Sequence, residues 1–476
     1  MPPSPAFRPS ISHAALGGTY YDEVAAATFP QHVIRHRNQR WAKRVGLDTL
    51  SDDEWIAHFG KFEPLPGSHP TPLALRYHGH QFRVYNPDLG DGRGFLFAQL
   101  HDLDDGRLLD LGTKGSGQTP WSRRGDGRLT LKGGVREVLA TEYLEALGVN
   151  TSKSFSLIET GEALTRGDEP SPTRSAVLVR LSHSHIRIGS FQRFAYLSEP
   201  ENAQRLLDYT IRTYMPELWH DDLPTRALAF LEDVCRRVAR TGAWSMAGGF
   251  VHGVLNSDNI NVTGESFDYG PWRFLPVLEP NFTAAYFDEQ GLYAYGRQPD
   301  QWFWCVTRLA ECLLPFASKE QLEGALGAFG PALQQAFNDA ILWRLGVRSI
   351  DAKTDEDLTR AVWTYLLESK APFEQTLFDW YGGLASEARA AASPEGERYA
   401  SDKFAPMRAA MKPFAPIDAA RLDHPYFKQT KPCTILIDEV EALWAPIAER
   451  DDWSLFAAKL RHIREMAEAY GAPGPA

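Results

Sequence analysis

The chain has 476 residues, 43% of them hydrophobic and 12% aromatic, enough for several domains or one large two-lobed unit with a sizeable core. Its net charge of -11 argues against broad binding to nucleic acids or anionic membranes, but it allows a local basic cleft for a phosphate ligand. The four cysteines include no Cys-x-x-Cys pair, so neither a disulfide framework nor a zinc knuckle is expected.

The pattern of the first 70 residues predicts two helices, near 31–44 and 52–59. No candidate catalytic residue is found there. The N-terminal sequence lacks the continuous apolar stretch of a secretory signal, and the most apolar long window, 302–317, is interrupted by charges. We therefore expect a cytoplasmic protein.

Two His-x-His pairs, His78 with His80 and His183 with His185, could together ligate a zinc ion. No cysteine or third clustered histidine accompanies the first pair. Structural histidines are therefore the simpler interpretation.

A glycine-rich segment contains Gly90, Gly92 and Arg93 and precedes two predicted strands, 95–100 and 108–111. Glycines allow backbone N–H groups to approach phosphates closely, and an arginine adds a bidentate phosphate donor. A plain hairpin explains the same pattern equally well.

Lys114 follows the second of these strands. A Walker A loop is excluded because the lysine precedes its glycines and a proline follows them. The next predicted helix, 135–147, carries Glu137 in its first turn, where a protein kinase has the glutamate that pairs with its lysine. A solvated glutamate favoured by the helix dipole is the alternative.

Charged residues also lie in the loop 122–128, which includes Asp126 and Gly127, and solvent exposure explains them equally well. The predicted strand 175–181 and the residues after it place Arg180 and Arg187 in apolar surroundings. Arginine keeps its charge, so a buried arginine must meet an anion, either a triphosphate or an Asp or Glu side chain.

From about residue 199 onward the pattern is helical. The helices are predicted near 202–214, 223–241, 301–316, 319–345, 355–368, 374–381, 407–420 and 451–470.

The segment 252–270 has the spacing of a catalytic centre. Asp258 and Asn259 are adjacent, and a predicted hairpin closing near Gly264 would bring Asp268 back beside them. Protein kinases use an aspartate as base, an asparagine for one metal ion, and the aspartate of Asp-Phe-Gly for Mg²⁺. A polar loop followed by a turn is the alternative.

A β-rich half followed by a helical half is the order of a two-lobed protein-kinase-like fold, which is an α+β fold with ATP in the cleft. We expect one catalytic unit. Its parts are an N-terminal segment (1–74), a β-rich N-lobe (75–196), a helical C-lobe (197–390) and a helical C-terminal extension (391–476).

The sequence His-Gly-Val-Leu-Asn-Ser-Asp-Asn at 252–259, followed by Asp-Tyr-Gly-Pro at 268–271, resembles the selenoprotein O (YdiU) family of kinase-like proteins. The stretches at 80–82, 89–93, 114–120, 125–128 and 136–137 are similar to the same family. The resemblance extends from about residue 70 to 320.

The resemblance implies transfer of AMP from ATP to Ser, Thr or Tyr hydroxyls of proteins, with the nucleotide reversed relative to a kinase. By matching motifs, Asp258 would be the base, and Asn259 and Asp268 would bind Mg²⁺ or Mn²⁺. Lys114, held by Glu137, would contact phosphate. The remaining nucleotide contacts would be Gly90, Gly92, Arg93, Asp126, Gly127, Arg180 and Arg187.

The chain also departs from the family. Trp304 and Cys305 stand where a family asparagine is expected, and the C-terminal sequence Ala-Pro-Gly-Pro-Ala lacks a cysteine or selenocysteine, so redox control is not predicted. A kinase that transfers the γ-phosphate, of the protein or aminoglycoside type, remains an alternative. So does an ATP-binding pseudokinase that acts as a scaffold.

Overall fold

The computed structural model describes residues 3–471 and shows an α+β protein, with a sheet in the N-terminal part and mainly helices after it. The predicted class is confirmed at this level. The residues on which the redox expectation rests, 472–476, lie outside the described part.

The strands are β1 (Pro9–Ser10), β2 (Tyr21–Glu23), β3 (Val33–Arg37), β4 (Leu73–Leu75), β5 (Gly79–Gln81), β6 (Val84–Asn86), β7 (Leu96–His101), β8 (Leu108–Lys114), β9 (Leu129–Thr130), β10 (Lys153–Leu164), β11 (Thr173–Ser182), β12 (Phe250–Val251) and β13 (Arg273–Phe274). The α-helices are α1 (Gln39–Arg44), α2 (Asp52–Phe59), α3 (Leu131–Ala146), α4 (Ile188–Leu197), α5 (Pro200–Tyr214), α6 (Leu223–Ala247), α7 (Gln298–Cys312), α8 (Lys319–Leu326), α9 (Phe329–Arg344), α10 (Ala352–Ser369), α11 (Phe373–Asp379), α12 (Glu387–Ala391), α13 (Gly396–Tyr399), α14 (Ala405–Met411), α15 (Ile437–Arg450) and α16 (Ser454–Tyr470).

The N-terminal region is built on a nine-stranded antiparallel sheet with the order β2-β4-β7-β8-β11-β10-β3, in which β1 also pairs with β7 and β9 with β11. Side chains of a strand alternate between the two faces of its sheet. Ala176 and Leu178 of β11 belong to the core on the α3 side, and Val177 and Val179 belong to a second core on the opposite face. Because both faces are covered, the middle of β11, residues 176–179, is apolar on both faces.

The N-terminal segment covers the face that α3 leaves open. Trp55 and Phe59 of α2 pack on Phe155 of β10, with ring centroids 5.1 and 5.3 Å apart. The predicted helix at 52–59 is confirmed.

The predicted helix at 31–44 is wrong in its first half. Val33–Arg37 forms strand β3, which pairs with β10, and the helix begins only at Gln39. The β-branched Val33 and Ile34 suit an edge strand, so pairing with the sheet overrides the helical pattern.

In the helical region, the predictions at 202–214, 223–241 and 355–368 are confirmed with small shifts at their ends. The single helix predicted at 319–345 is two helices, because the chain turns at Gly327. Helix α15 was not predicted, since Pro446 interrupts its pattern.

The C-terminal helices return to the sheet region. Helix α16 packs against α3, and Tyr143 of α3 donates a hydrogen bond to the carbonyl of Cys433 (2.9 Å). The end of the chain thus supports the helix that carries Glu137. Among residues 3–471, none of the helices combines the length and apolarity needed to traverse a bilayer.

The segment 252–270 folds back as predicted, but with little strand structure. The hairpin is reduced to one antiparallel bridge between Ile260 and Ser266, with Gly264 in the turn at a φ of 76°. Ser266 also bridges to Thr151 beside the sheet. The segment therefore connects the helical region directly to the sheet.

Candidate active site

Four charged side chains meet on the α3 side of the sheet. Lys114 Nζ lies 2.6 Å from Glu137 Oε2 and 2.6 Å from Asp268 Oδ1. Arg180 Nη1 lies 3.4 Å from Glu137 Oε1 and 3.3 Å from Asp268 Oδ1. The side chains of Lys114 and Glu137 are buried, whereas that of Asp268 is 31% exposed. Lys114 and Arg180 are therefore held beside Asp268, whose carboxylate faces the cleft.

The register of the sheet brings the two cations together. Lys114 of β8 pairs with Leu178 of β11, and Arg180 follows two residues later on the same face. Helix α3 lies over this face and begins at Leu131, so Glu137 is in its second turn and fully buried. This burial excludes the alternative in which Glu137 is a solvated residue of the first turn.

Asp268 is held ionised and in an unusual backbone conformation. Burial alone would raise the pKa of Asp268, but Lys114, Arg180 and Arg93 hold it well below its usual range. Its φ of 64° lies in the left-handed region, which is uncommon for residues other than glycine. Such strain persists where surrounding contacts fix a residue, and it concentrates at functional sites.

Asp258 lies in a 3₁₀ turn, Ser257–Asn259, and lines the same cleft. Its Oδ1 atom is buried and has no hydrogen-bond partner within residues 3–471. Burial raises the pKa of Asp258 to about 6, although Arg187 opposes the shift. The carboxylate is still mainly ionised at neutral pH, so it is suited to accept a proton from a hydroxyl.

The surroundings of Asp258 are fixed by the β5–β6 hairpin. A Cβ atom on Gly79 would lie 3.0 Å from the Cβ of Asp258, so glycine permits the close approach. Ser257 Oγ accepts a hydrogen bond from the backbone N–H of His80 (2.8 Å) and donates to Gln192 Oε1 (2.6 Å). The turn that carries Asp258 is therefore attached to strand β5 and helix α4.

Arg187 is buried beside Asp258. Its Nη2 lies 3.3 Å from Asp91 Oδ1, and its guanidinium carbon lies 3.9 Å from the centre of the Tyr77 ring. Within the described chain, the buried Nε atoms of both Arg187 and Arg180 have no hydrogen-bond partner. Two guanidinium groups with unused donors can bind an anionic ligand.

The glycines shape the wall of the cleft. A Cβ atom on Gly90 would lie 2.4 Å from the Trp121 ring, and one on Gly92 would lie 2.6 Å from the Trp121 carbonyl oxygen. Gly127 has a φ of 68°, and a Cβ there would lie 2.3 Å from the backbone of Gly117. These positions therefore require glycine.

Together these elements surround a cavity of about 710 Å³. Its lining contains eight Arg or Lys side chains and four Asp side chains, although the chain as a whole is acidic. The predicted site residues that line it are Gly90, Gly92, Arg93, Lys114, Asp126, Gly127, Arg180, Arg187, Asp258 and Asp268. Glu137 lies behind Lys114 and contacts it directly.

Asn259 differs from the other predicted residues. It does not line this cavity but a small separate one, together with Val238 and Trp302. Its Nδ2 donates a hydrogen bond to the carbonyl of Val254 (2.8 Å). This bond leaves the amide oxygen, the atom that metals prefer, for another ligand.

The histidine pairs form no metal centre in the described chain. Within residues 3–471, no group of three or more His, Cys, Asp and Glu residues is placed to hold a metal ion. His78 Nδ1 instead lies 2.8 Å from the Tyr85 hydroxyl, and His80 Nδ1 lies 2.7 Å from Gln192 Nε2. Both contacts agree with the structural interpretation.

Sequence reasoning missed four arginines that line the cavity: Arg123, Arg124, Arg128 and Arg166. The first three belong to the loop 122–128, whose charges were explained equally well by solvent exposure. The high density of arginines among glycines in this loop was the signal that could have identified them. Arg166 comes from the β10–β11 connection and contacts Asp126 (2.8 Å). No sequence motif predicts the contact between Arg166 and Asp126.

A comparison with protein families matches residues 6–464 to the model described as protein adenylyltransferase SelO. The chain belongs to this family. The predicted resemblance and the enzyme class, nucleotidyl transfer, are therefore confirmed.

Several relatives are named protein nucleotidyltransferase YdiU. The protein from Gloeobacter violaceus is 43% identical over 467 residues, which cover 95% of this chain and 94% of the relative. The protein from Trichormus variabilis is 41% identical over 463 residues, 94% of each chain. The protein from Vibrio cholerae is 39% identical over 338 residues, which cover 70% of this chain and 67% of the relative.

Proposed function

We propose that this chain transfers AMP from ATP to Ser, Thr or Tyr hydroxyls of proteins and releases pyrophosphate, as a kinase-like two-lobed enzyme of the cytoplasm. Its lobes would be residues 75–196 and 197–390, flanked by the segment 1–74 and the extension 391–476. The observation that carries the proposal is the cationic cavity with Asp258 at its wall. The surplus of four positive charges suits a triphosphate.

The distribution of charge favours a reversed nucleotide. In a kinase the γ-phosphate lies near the acceptor. Here the cations Lys114 and Arg180 are buried, and their contacts hold them against Glu137 of α3 and Asp268. A terminal phosphate placed among such cations would exchange its hydration for fixed charges. The α-phosphate would then be the group nearest Asp258.

In the proposed reaction, Asp258 accepts the proton of the acceptor hydroxyl. The hydroxyl oxygen forms a bond to the α-phosphorus, the bond between the α-phosphorus and the α–β bridging oxygen breaks, and pyrophosphate leaves. The unpaired Oδ1 of Asp258 and its pKa of about 6 support this role. Arg187, which pairs with Asp91 and interacts electrostatically with Asp258, would bind phosphate oxygens.

Asp268 would hold Mg²⁺ or Mn²⁺ in the cationic cavity, and the amide oxygen of Asn259, which lines a separate small cavity, would join the same ion only after a change in its position. The ionised, partly exposed carboxylate of Asp268 fits a divalent cation, and Asn259 offers an oxygen that is not used in its hydrogen bond to Val254. Such a cation, when bound, supplies positive charge between neighbouring phosphates.

An intact-mass measurement tests the proposal. Casein, an unfolded protein rich in hydroxyl groups, is incubated with the enzyme, ATP and either Mg²⁺ or Mn²⁺. We expect adducts with the mass of one AMP residue per modified hydroxyl. Adducts with the mass of a phosphate would instead indicate a kinase, and unmodified casein despite metal-dependent ATP binding would favour a scaffold.

Glu137→Ala is expected to lower kcat/KM for ATP by about 100-fold, because Lys114 loses the contact that positions it on the α3 side. The measurement is pyrophosphate release at varied ATP concentration. Glu159→Gln is the matched control, since Glu159 is a buried carboxylate of the same sheet that binds Arg35 and Arg174 outside the cleft. Near-normal rates in folded Glu137→Ala would mean that Glu137 has only a structural role.

A further inference from the structure

An exposed aromatic patch lies beside the segment that carries Asp258. It consists of Phe82, Tyr286 and Phe287, whose exposures are 40%, 86% and 46%. The ring centroids of Phe82 and Phe287 are 5.9 Å apart, and those of Tyr286 and Phe287 are 5.3 Å apart. Contiguous exposed aromatic groups are typical of surfaces that bind a partner.

The β5–β6 hairpin connects this aromatic patch to Asp258. Its first residue, Gly79, packs directly on Asp258, and Gln81 lines the cationic cavity. Phe82 follows at the turn. Three residues of extended chain span about 10 Å, so the patch lies within a few residues' reach of the proposed reaction site.

The patch is also held in place. The backbone N–H of Phe82 donates to the hydroxyl of Tyr293 (2.9 Å), and the Tyr293 hydroxyl donates to Asn256 Oδ1, two residues before Asp258. The Phe82 ring packs on the Tyr293 ring at 5.0 Å. A preorganised aromatic surface binds without a large ordering cost.

The chemistry of the patch indicates an apolar occupant. Arg83 is the nearest charged residue along the hairpin, but its guanidinium contacts Gln301 Oε1 (3.2 Å) and stacks on Trp304 (5.4 Å to the ring centroid). The three exposed rings are themselves uncharged. Of the acidic residues that follow Phe287, Asp288 is buried and accepts hydrogen bonds from the backbone N–H groups of Leu292 and Tyr293, whereas Glu289 is exposed. A large aliphatic or aromatic side chain would bury the most area there.

We propose that the aromatic patch binds the acceptor protein, through a large apolar side chain about three residues away from the hydroxyl that receives AMP. The inference rests on the proposed function, because an enzyme that modifies proteins needs an acceptor surface within reach of its base. An extended acceptor strand advances about 3.3 Å per residue, so three residues match the length from Gly79 to Phe82.

The test uses synthetic peptides with a single acceptor hydroxyl (Ser, Thr or Tyr) and α-³²P-ATP. Matched peptides carry Leu, Phe or Asn three residues before or three residues after that position, so that the compared side chain adds no second hydroxyl. The variants are Tyr286→Ser, Phe287→Ser and Phe82→Asn, the last because asparagine tolerates the φ of 51° at residue 82. Leu455→Ser, at an exposed leucine of α16, is the control.

The expected result is that the unmodified enzyme and Leu455→Ser label the Leu or Phe peptides with about tenfold higher kcat/KM than the Asn peptides. The patch variants should lose this preference and keep their affinity for ATP. The proposed acceptor surface is contradicted if the unmodified enzyme labels all peptides equally, or if the patch variants keep the preference. Neither result would contradict AMP transfer itself. If the unmodified enzyme transfers no α-label to any peptide or to casein, the proposed function fails, and the acceptor surface fails with it.

Discussion

Asp258→Ala should lower the rate of AMP transfer by about 10² to 10⁴-fold while leaving the affinity for ATP nearly unchanged. A general base acts on the proton that moves in the transition state, and it contributes little to the binding of the ground state. The unpaired Oδ1 of Asp258 supports this assignment. Transfer is measured from α-³²P-ATP, and affinity is measured by calorimetry.

Asp258→Asn provides the matched control for shape. It keeps the volume of the side chain and removes the buried charge, so it should lose transfer as strongly as Asp258→Ala. Burial raises the pKa of Asp258, so the ionised carboxylate lowers the stability of the folded state at neutral pH, and Asp258→Asn should not lower Tm. Transfer within threefold of the unmodified enzyme in either variant would contradict the assignment.

Asp268→Ala should abolish the part of ATP affinity that depends on a divalent metal, a loss of about tenfold or more. Without metal the effect should be small or reversed, because Asp268 neutralises Lys114 and Arg180 in the free protein. Removing the Asp268 carboxylate leaves Lys114 and Arg180 free to bind the phosphates of ATP. Calorimetric titrations with ATP, in the presence of Mg²⁺ or of a chelator, separate the two effects.

Asp126→Asn is the matched control for a carboxylate of the same cavity, since Asp126 contacts Arg166 rather than Lys114. It should keep the difference between the titrations with and without metal. Asn259→Ala should reduce that difference if its amide oxygen binds the cation. An unchanged metal effect in Asp268→Ala would show that the metal is held elsewhere.

Much of the candidate site could be predicted because its residues follow one another in a characteristic order. Lys114 at the end of a strand, Glu137 in the next helix and Asp268 after the turn are meaningful as a set, and the structure brings the three together. Asp258 was identified from its neighbours in the sequence. Each of these residues belongs to a short local pattern that the sequence displays.

Other parts depend on contacts that no local pattern displays. Arg166 reaches the cavity from the connection between β10 and β11, and its place is set by the pairing of those strands. The orientation of Asn259 depends on its hydrogen bond to Val254. Strand β3 was mistaken for a helix because its edge position in the sheet, rather than its own periodicity, determines its conformation.

The electrostatic character of the cavity was also hidden by composition. A chain with a net charge of -11 places eight cationic side chains around one cavity, and half of them were not among the predicted site residues. Net charge describes the average surface, whereas ligand binding depends on the local potential in a cleft.

The most direct test of the account compares two labels in one assay with casein and a divalent metal. With the nucleotide reversed in the cationic cavity, α-³²P-ATP should label casein, γ-³²P-ATP should not, and the γ-label should appear in free pyrophosphate. Asp258→Asn should lose the α-label. Transfer of the γ-label to casein, with AMP absent from the product, would contradict the reversed-nucleotide mechanism and show that the enzyme acts as a kinase.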